Sequence, residues 1–347
     1  MRALISGGAG FIGSHLAEEL LRRGHRVALL DDLSTGAREN IEHLVAREDV
    51  RFVKSTVLEE GIVRSLVDEA DVVFHLAAAV KLRSLSEHPV RSLQVNVRGT
   101  ETVLQACCRA GRKVIVASSG EVYGRNGEGR FREGDDLALS GATMRGAGYA
   151  CAKVLGEFLA MAYHQEKGVP VVVARLFNVC GPRQSGPYAR VVPRFVGQAL
   201  RGEPLTVFGD GQQVRSFLYV GDAVHALLGL AEHPGAVGEV FNVGSPEAVT
   251  IEALARMVKA TIKSTSTIAY IPSAEARTDG LGDMRSRVPD VRKLQALLGD
   301  PPRVPLAEAL RQIGAFMAGR PGPQTPGPGG GGRGAGRGAA PAVAPKT

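Results

Sequence analysis

The apolar run Arg2–Ser6 passes directly into glycines at positions 7, 10 and 13 and then into a helical pattern over Ile12–Arg23. No other feature constrains the fold as strongly. In a strand-to-helix turn reading Gly7-Gly8-Ala9-Gly10-Phe11-Ile12-Gly13, Gly7 permits the tight turn and Gly10 lets the backbone approach a pyrophosphate. Gly13 lets the helix lie close to the strand, and the helix N-terminus then faces the phosphates. A glycine pattern alone is weak evidence. Here the context is complete, because the second apolar run ends in Asp31-Asp32, eighteen residues past Gly13. Asp31 is placed to accept hydrogen bonds from the adenosine ribose, and its charge repels a 2′-phosphate. The pattern predicts NAD rather than NADP as cofactor.

The remaining elements agree. Arg26–Leu30, Arg51–Val53, Val72–Leu76, Lys113–Ala117 and Val171–Arg175 are short, continuous Val/Leu/Ile runs, as expected of parallel strands buried on both faces. Helical patterns fall between them, at Glu59–Ala70, Val90–Ala110 and Ala150–Lys167. This alternation predicts an α/β fold, a Rossmann doubly wound parallel sheet over residues 1–180. After about Gly181 the elements shorten and Pro, Gly and Arg become frequent. Residues 181–319 read as a smaller mixed α/β lobe for substrate, with helices Val191–Arg201, Asp222–Glu232, Ile251–Ile262 and Leu306–Met317 and strands Pro204–Phe208 and Glu239–Val243. The Gly/Pro/Ala stretch 320–347 cannot bury enough surface to fold and reads as disordered.

Candidate chemistry gathers at one sheet edge. The run Ala117-Ser118-Ser119-Gly120-Glu121-Val122-Tyr123-Gly124 closes the fifth strand at its carboxyl end, where doubly wound sheets bind ligands. Tyr149-Ala150-Cys151-Ala152-Lys153 places Tyr149 and Lys153 four apart on one helical face. The Lys153 ammonium can lower the phenol from about 10 toward neutrality, so that Tyr149 removes a proton from a hydroxyl whose carbon gives up hydride. Ser119 can donate a hydrogen bond to the same oxygen. A bare YxxxK occurs by chance; the glycine loop upstream and the serine-rich strand end give it meaning.

The formal net charge is +7, and four of the basic residues (Arg320, Arg333, Arg337 and Lys346) lie in the acid-free tail. The balance therefore favours a phosphorylated small ligand over nucleic acid, and the tail has no aromatic residues to stack on bases. The four cysteines, at 107, 108, 151 and 180, lack metal-ligand spacing, so no metal is expected. They read as small core residues in a reducing compartment. No apolar run reaches the roughly 18 residues of a membrane span, and a cytoplasmic protein is the expectation.

The segments GGAGFIG, Asp31-Asp32-Leu33-Ser34-Thr35-Gly36, His75-Leu76-Ala77-Ala78, SSGEVYG, YACAK, Arg175-Leu176-Phe177-Asn178 and Arg215-Ser216-Phe217 occur in order over about residues 1–318. Together they resemble the extended short-chain dehydrogenase/reductase family, and within it the nucleotide-sugar epimerases and dehydratases. The resemblance implies a catalytic set of Ser119, Tyr149 and Lys153, with Glu121 beside it. It implies that Leu33 to Gly36 wraps the adenosine, that Leu76, Ala77 and Ala78 pass behind the nicotinamide, and that Thr56-Val57 stands where relatives hold the adenine. For a nucleotide-diphosphate sugar it implies Asn178, Arg215 and Arg287 at the diphosphate, Phe208 at the nucleobase and Arg190 as a further substrate arginine. His75 and Tyr123 read as structural.

All such relatives begin by oxidising the sugar C4 hydroxyl. Gly120 stands where a 4,6-dehydratase has its acid, which disfavours dehydration. Glu121 and the Leu205–Gly209 stretch fit UDP-glucuronate decarboxylases, whereas the Asp32-to-Gly36 loop and the helical segment after strand three look more like 4-epimerases. The expectation is a UDP-hexose 4-epimerase, with a UDP-glucuronate decarboxylase or a dehydratase as alternatives and a non-catalytic NAD-binding regulator as a remote one. Val90–Ala110 and Ala150–Lys167 carry more apolar residues than one sheet face needs, which suggests a homodimer through these helices.

Overall fold

The computed structural model describes residues 1–80, 88–124, 129–141, 147–184, 191–272, 285–299 and 302–319. Arg190 and the tail 320–347 lie outside them. The first half runs β1 (Arg2–Ser6), α1 (Phe11–Arg22), β2 (Arg26–Leu30), β3 (Val50–Val53), α2 (Glu60–Glu69), β4 (Val72–His75), α3 (Pro89–Ala110), β5 (Lys113–Ser119), a 3-10 turn (Gly120–Tyr123), β6 (Arg130–Phe131), α4 (Ala147–Lys167) and β7 (Val171–Leu176). The second half continues with β8 (Val179–Cys180), α5 (Val191–Leu200), β9 (Leu205–Phe208), β10 (Val214–Ser216), β11 (Leu218–Tyr219), α6 (Val220–Glu232) and β12 (Glu239–Val243). It ends with β13 (Ala248–Thr250), α7 (Ile251–Ile262), β14 (Ile268–Ile271), β15 (Ser286–Pro289), α8 (Arg292–Leu298) and α9 (Leu306–Ala318).

The Val/Leu/Ile runs form a seven-stranded sheet in the order β12-β7-β5-β4-β1-β2-β3. Its strand pairs are all parallel. Chain direction across the sheet reverses between β1 and β4, and this is where a crevice opens at the carboxyl edge. On one face α2, α3 and α4 bury Val63, Leu66, Val103, Leu104 and Ala160 against Leu4, Val73 and Val173. On the other face α1 and α6 bury Leu16, Leu20, Val224 and Leu227 against Ile5, Phe74 and Phe241.

The later chain thus completes the nucleotide sheet. Strand β12 adds an edge beside β7, pairing Glu239 with Val172 through Val243 with Leu176, and α6 covers a sheet face. The lobe has its own core, in which Phe195, Val196, Leu205, Leu254, Val258, Leu310 and Ile313 interlock from α5, β9, α7 and α9. A four-stranded sheet, β13-β10-β15-β6, reaches back to the strand end that carries Ser119 and Glu121.

Candidate active site

The glycine loop has the form its residues require. Gly7 sits at φ +77°, and a Cβ there would stand 2.8 Å from the Ala77 backbone nitrogen. A Cβ on Gly13 would stand 2.2 Å from the Gly7 carbonyl oxygen. Gly10 caps α1 with no side-chain hydrogen bond, and α1 has no acidic residue in its first turn. The positive helix end beside Phe11 and Ile12 is therefore left for an anion. These features fit the pyrophosphate of NAD.

Asp31 is buried, and its two oxygens accept from the Ala9 N–H at 3.0 Å and the Leu33 N–H at 2.8 Å. Burial raises its pKa, and those backbone donors oppose the rise. Asp32 accepts from the Ser34 N–H at 2.9 Å, which bends Leu33, Ser34 and Thr35 round toward Gly36. There is no room for a side chain at Gly36: its Cβ would meet the Asp31 carboxylate at 2.8 Å. Thr56 accepts from the Leu58 N–H at 3.4 Å. Val57 is buried, and a Cβ on Gly99 of α3 would stand 2.4 Å from its methyl group.

Leu76, Ala77 and Ala78 leave the end of β4 over a buried cluster of which the sequence singled out only His75, as structural. His75 is fully buried, with Nδ1 2.7 Å from the Ser6 hydroxyl and Nε2 3.0 Å from the Thr100 hydroxyl. Thr100 donates its own proton to the Asn96 carbonyl at 2.7 Å. It must then accept from Nε2–H, so Nδ1 accepts from Ser6. Burial, helped by the charge of Lys153, pushes the imidazole down to about 3, so it is neutral. Asn96 accepts from the Ala79 N–H at 2.9 Å and donates to the Ala79 carbonyl at 3.2 Å. A buried amide at helical spacing from Thr100 was the available signal.

The Ser119, Tyr149 and Lys153 side chains are all buried, at 7%, 7% and 6% exposure. Lys153 donates to the Ala117 carbonyl at 2.7 Å, two residues before Ser119, and its ammonium lies 6.0 Å from the centre of the Tyr149 ring. Burial lowers the Lys153 pKa to about 8, with Glu157 opposing. The amine therefore keeps its charge at neutral pH. Ser119 also accepts from the Glu121 N–H at 3.2 Å, which starts the 3-10 turn. A side chain at Gly120 would meet the Phe177 ring at 2.6 Å, so the dehydratase acid has neither an atom nor a space here.

Glu121 emerges from that turn with its carboxylate 3.7 Å from the Arg287 guanidinium. Arg215 on β10 stands directly beside Arg287 on β15 in register, so two arginines distant in sequence arrive as neighbours. Asn178, at φ +38°, donates to the Ser216 carbonyl at 2.9 Å and holds β10 in place. Phe208 carries the Arg194 guanidinium 4.7 Å over its ring, and its carbonyl accepts from the Gln213 side chain, two residues before Arg215, at 3.0 Å. Among the described residues no group of three or more His, Cys, Asp or Glu could hold a metal, and no helix is long and apolar enough to cross a membrane.

Residues 3–244 match the NAD dependent epimerase/dehydratase family profile. The chain is 39% identical over 312 residues to the UDP-N-acetyl-alpha-D-glucosaminuronate decarboxylase of Bacillus cytotoxicus, spanning 90% of this chain and 96% of that protein. It is 37% identical to UDP-glucuronic acid decarboxylase 1 of Danio rerio, over 90% of this chain and 71% of that protein. Among solved structures it resembles the UDP-glucuronic acid 4-epimerase of Bacillus cereus in complex with UDP-glucuronic acid and NAD. That match has a TM-score of 0.82 at 30% identity and covers 92% of this chain and 99% of the other. The sequence relatives favour the decarboxylase alternative over the 4-epimerase suggested by the Asp32-to-Gly36 loop. The physical reason is local: that loop folds around Asp31, on the cofactor side, and reports nothing about the sugar.

Proposed function

Because the chain belongs to the NAD-dependent epimerase/dehydratase family, we propose that it is a decarboxylase of a UDP-linked hexuronate. The observation that carries this reading is the Glu121–Arg287 pair at 3.7 Å, two residues past Ser119. A carboxylate on sugar C6 needs a cation at the sugar end of the site. Arg287, which the family resemblance placed at the diphosphate, supplies one in this reading because it faces Glu121, while Arg215 beside it remains for the diphosphate. When the substrate carboxylate takes Arg287, it displaces Glu121 and leaves that side chain beside C5.

Gly7, Gly10, Asp31 and the Leu76–Ala78 backbone hold NAD, which when bound accepts hydride from C4 and later returns it. Tyr149 takes the proton of the C4 hydroxyl, with the Lys153 ammonium stabilising the phenolate and Ser119 donating to the oxygen. The resulting 4-keto hexuronate is a β-keto acid. Its C5–C6 bond breaks, carbon dioxide leaves, and the bonding pair moves into a C4–C5 enolate whose oxygen is met by Ser119 and the Tyr149 proton. A proton from solvent, delivered to C5 by water directly or relayed through the displaced Glu121, restores the ketone before C4 is reduced. A 4-epimerase is the second reading, supported by the likeness to the Bacillus cereus enzyme.

A homodimer is part of the proposal. Val90 and Leu93 on α3 and Leu155 and Phe158 on α4 are exposed by 69%, 42%, 50% and 66%, a patch that a second copy can cover. Light scattering at micromolar concentration checks it. The function is tested by incubating the purified protein separately with UDP-glucuronate and UDP-N-acetylglucosaminuronate and reading products by mass and NMR. Loss of carbon dioxide from either supports the decarboxylase. Unchanged mass with inverted C4 replaces it by the epimerase, and loss of water overturns both.

A further inference from the structure

A continuous chain of buried polar groups runs from the catalytic helix to the strand that carries Arg287. Glu157, one turn past Lys153 on α4, accepts from Ser118 and from Arg175 at 2.7 and 3.0 Å. Arg175 on β7 donates onward to the Tyr123 hydroxyl at 2.7 Å and to the Glu133 carbonyl at 3.1 Å. Tyr123 donates to Asn242 Oδ1 at 2.7 Å. The Asn242 amide donates to the carbonyls of Phe131 at 2.9 Å and Asp290 at 3.2 Å, and its backbone N–H reaches Glu133 Oε1 at 2.9 Å.

Every direction in this chain is determined. Arginine can only donate, so the Tyr123 oxygen accepts from Arg175 and must spend its own proton on Asn242. Both partners of Nδ2 are carbonyls, which fixes the amide orientation. Burial pushes Tyr123 up to about 12 against the opposing charge of Arg175, so the phenol keeps that proton. Tyr123 and Asn242 are both fully buried, and the Tyr123 ring stacks on Phe131 with centroids 4.7 Å apart.

The Tyr123–Asn242 link within this chain joins the segments that carry the two halves of the Glu121–Arg287 pair. Tyr123 closes the 3-10 turn that presents Glu121, and Asp290 follows the strand that presents Arg287. We propose that Tyr123 and Asn242 are positioning residues that set the Glu121–Arg287 spacing and thereby the step at which carbon dioxide leaves. The inference rests on the decarboxylase reading above. It separates the two stages of the reaction: the Tyr149–Lys153 pair governs C4 oxidation, whereas the Tyr123–Asn242 tie governs what happens at C6.

The test is single-turnover kinetics of wild type, Tyr123→Phe and Asn242→Ala with UDP-glucuronate, following absorbance of the reduced nicotinamide and released carbon dioxide in parallel. Wild type is measured first; no carbon dioxide from it, or from UDP-N-acetylglucosaminuronate, would overturn the decarboxylase reading itself. Given an active wild type, Tyr123→Phe keeps the ring stack and removes only the hydroxyl. It is expected to slow carbon dioxide release about ten-fold while C4 oxidation changes less than two-fold, so that the 4-keto sugar accumulates. Asn242→Ala breaks the same tie from the strand side and should give the same split if Tyr123→Phe does not fold. Equal slowing of both stages would mark a merely structural role, and no change in either would remove the role altogether; both results overturn the inference.

Discussion

Around His75 every buried hydrogen bond is neutral, whereas around Arg175 the bonds are built on an ion pair whose side chains are 5% and 6% exposed. Both clusters sit near the carboxyl ends of the central strands, one at the end of β4 and one at the ends of β5 and β7. The His75 cluster joins only β1, β4 and α3, and single hydroxyls and one amide span those gaps. It also stands near the Lys153 ammonium, which opposes a second positive charge. The Arg175 cluster must join α4, β5, β7, the 3-10 turn and β6, and a guanidinium with its five donors has that reach. Its charge is tolerable in the interior because Glu157 matches it: burial works against the Arg175 charge, but the bonds it donates to Glu157 hold its pKa above the ordinary value. The lesson is that neutrality suits a short brace beside a cation, and a paired charge suits a long one.

The largest effect is expected at the proposed proton-transfer pair, whose Lys153 stands near both His75 and Glu157. Tyr149→Phe should lower kcat by roughly 100- to 10,000-fold without moving the denaturation midpoint. A comparable loss of stability would mean that Tyr149 is itself part of a brace. Next, Arg175→Met leaves Glu157 buried without its partner and should cost about 3–5 kcal/mol in urea denaturation, with most of it regained in Arg175→Met/Glu157→Leu. If the double variant is as unstable as the single, charge matching is not what distinguishes this cluster.

The neutral brace predicts a different signature, in pH. Folded, His75 titrates at about 3; unfolded, it titrates near about 6.5. Between these values the unfolded chain binds the proton and the folded chain does not. The contribution is therefore complete above pH 6.5 and is lost as pH falls toward 3. Wild type should lose about 1.4 kcal/mol per pH unit in that window relative to His75→Gln, and parallel pH profiles of the two would show that His75 is not held neutral. The smallest effect is expected for Ser118→Ala, about 1–2 kcal/mol. It removes one donor to Glu157 and leaves the two-point contact with Arg175. A larger loss would place the weight of the cluster on β5 rather than on β7.

Much of this was legible in the chain. The glycine loop, Asp31 and the YxxxK pair depend on neighbours within a turn or on a single strand crossing, and Ile251–Ile262 and Glu239–Val243 were readable to the residue from periodicity. The braces were not. Glu157 announced itself weakly, as an acid one turn past Lys153 on an otherwise apolar face, and Asn242 as an amide between Phe241 and Val243. Neither signal names its partner, because each partner comes from a different part of the chain. Short strands such as β10 and β15 carry too few residues for a period, so their pairing could not be read. The preference for an epimerase came from the Asp32-to-Gly36 loop and the helical segment Glu59–Ala70 after strand three, found as α2 (Glu60–Glu69); neither carries a residue of the Glu121–Arg287 pair, so neither says much about the sugar.

By itself the amino-acid order determined the class of fold, the glycine loop and the placing of Tyr149 and Lys153 on one helical face, since those depend on local backbone geometry and helical spacing. Only the tertiary structure decided that Glu239–Val243 closes the nucleotide sheet beside β7, that Arg215 and Arg287 stand side by side, and that Glu121 faces Arg287. Those contacts join segments far apart in the chain. Burial of apolar faces and the matching of buried donors to acceptors select them, and both operate on the folded surface rather than on sequence neighbours.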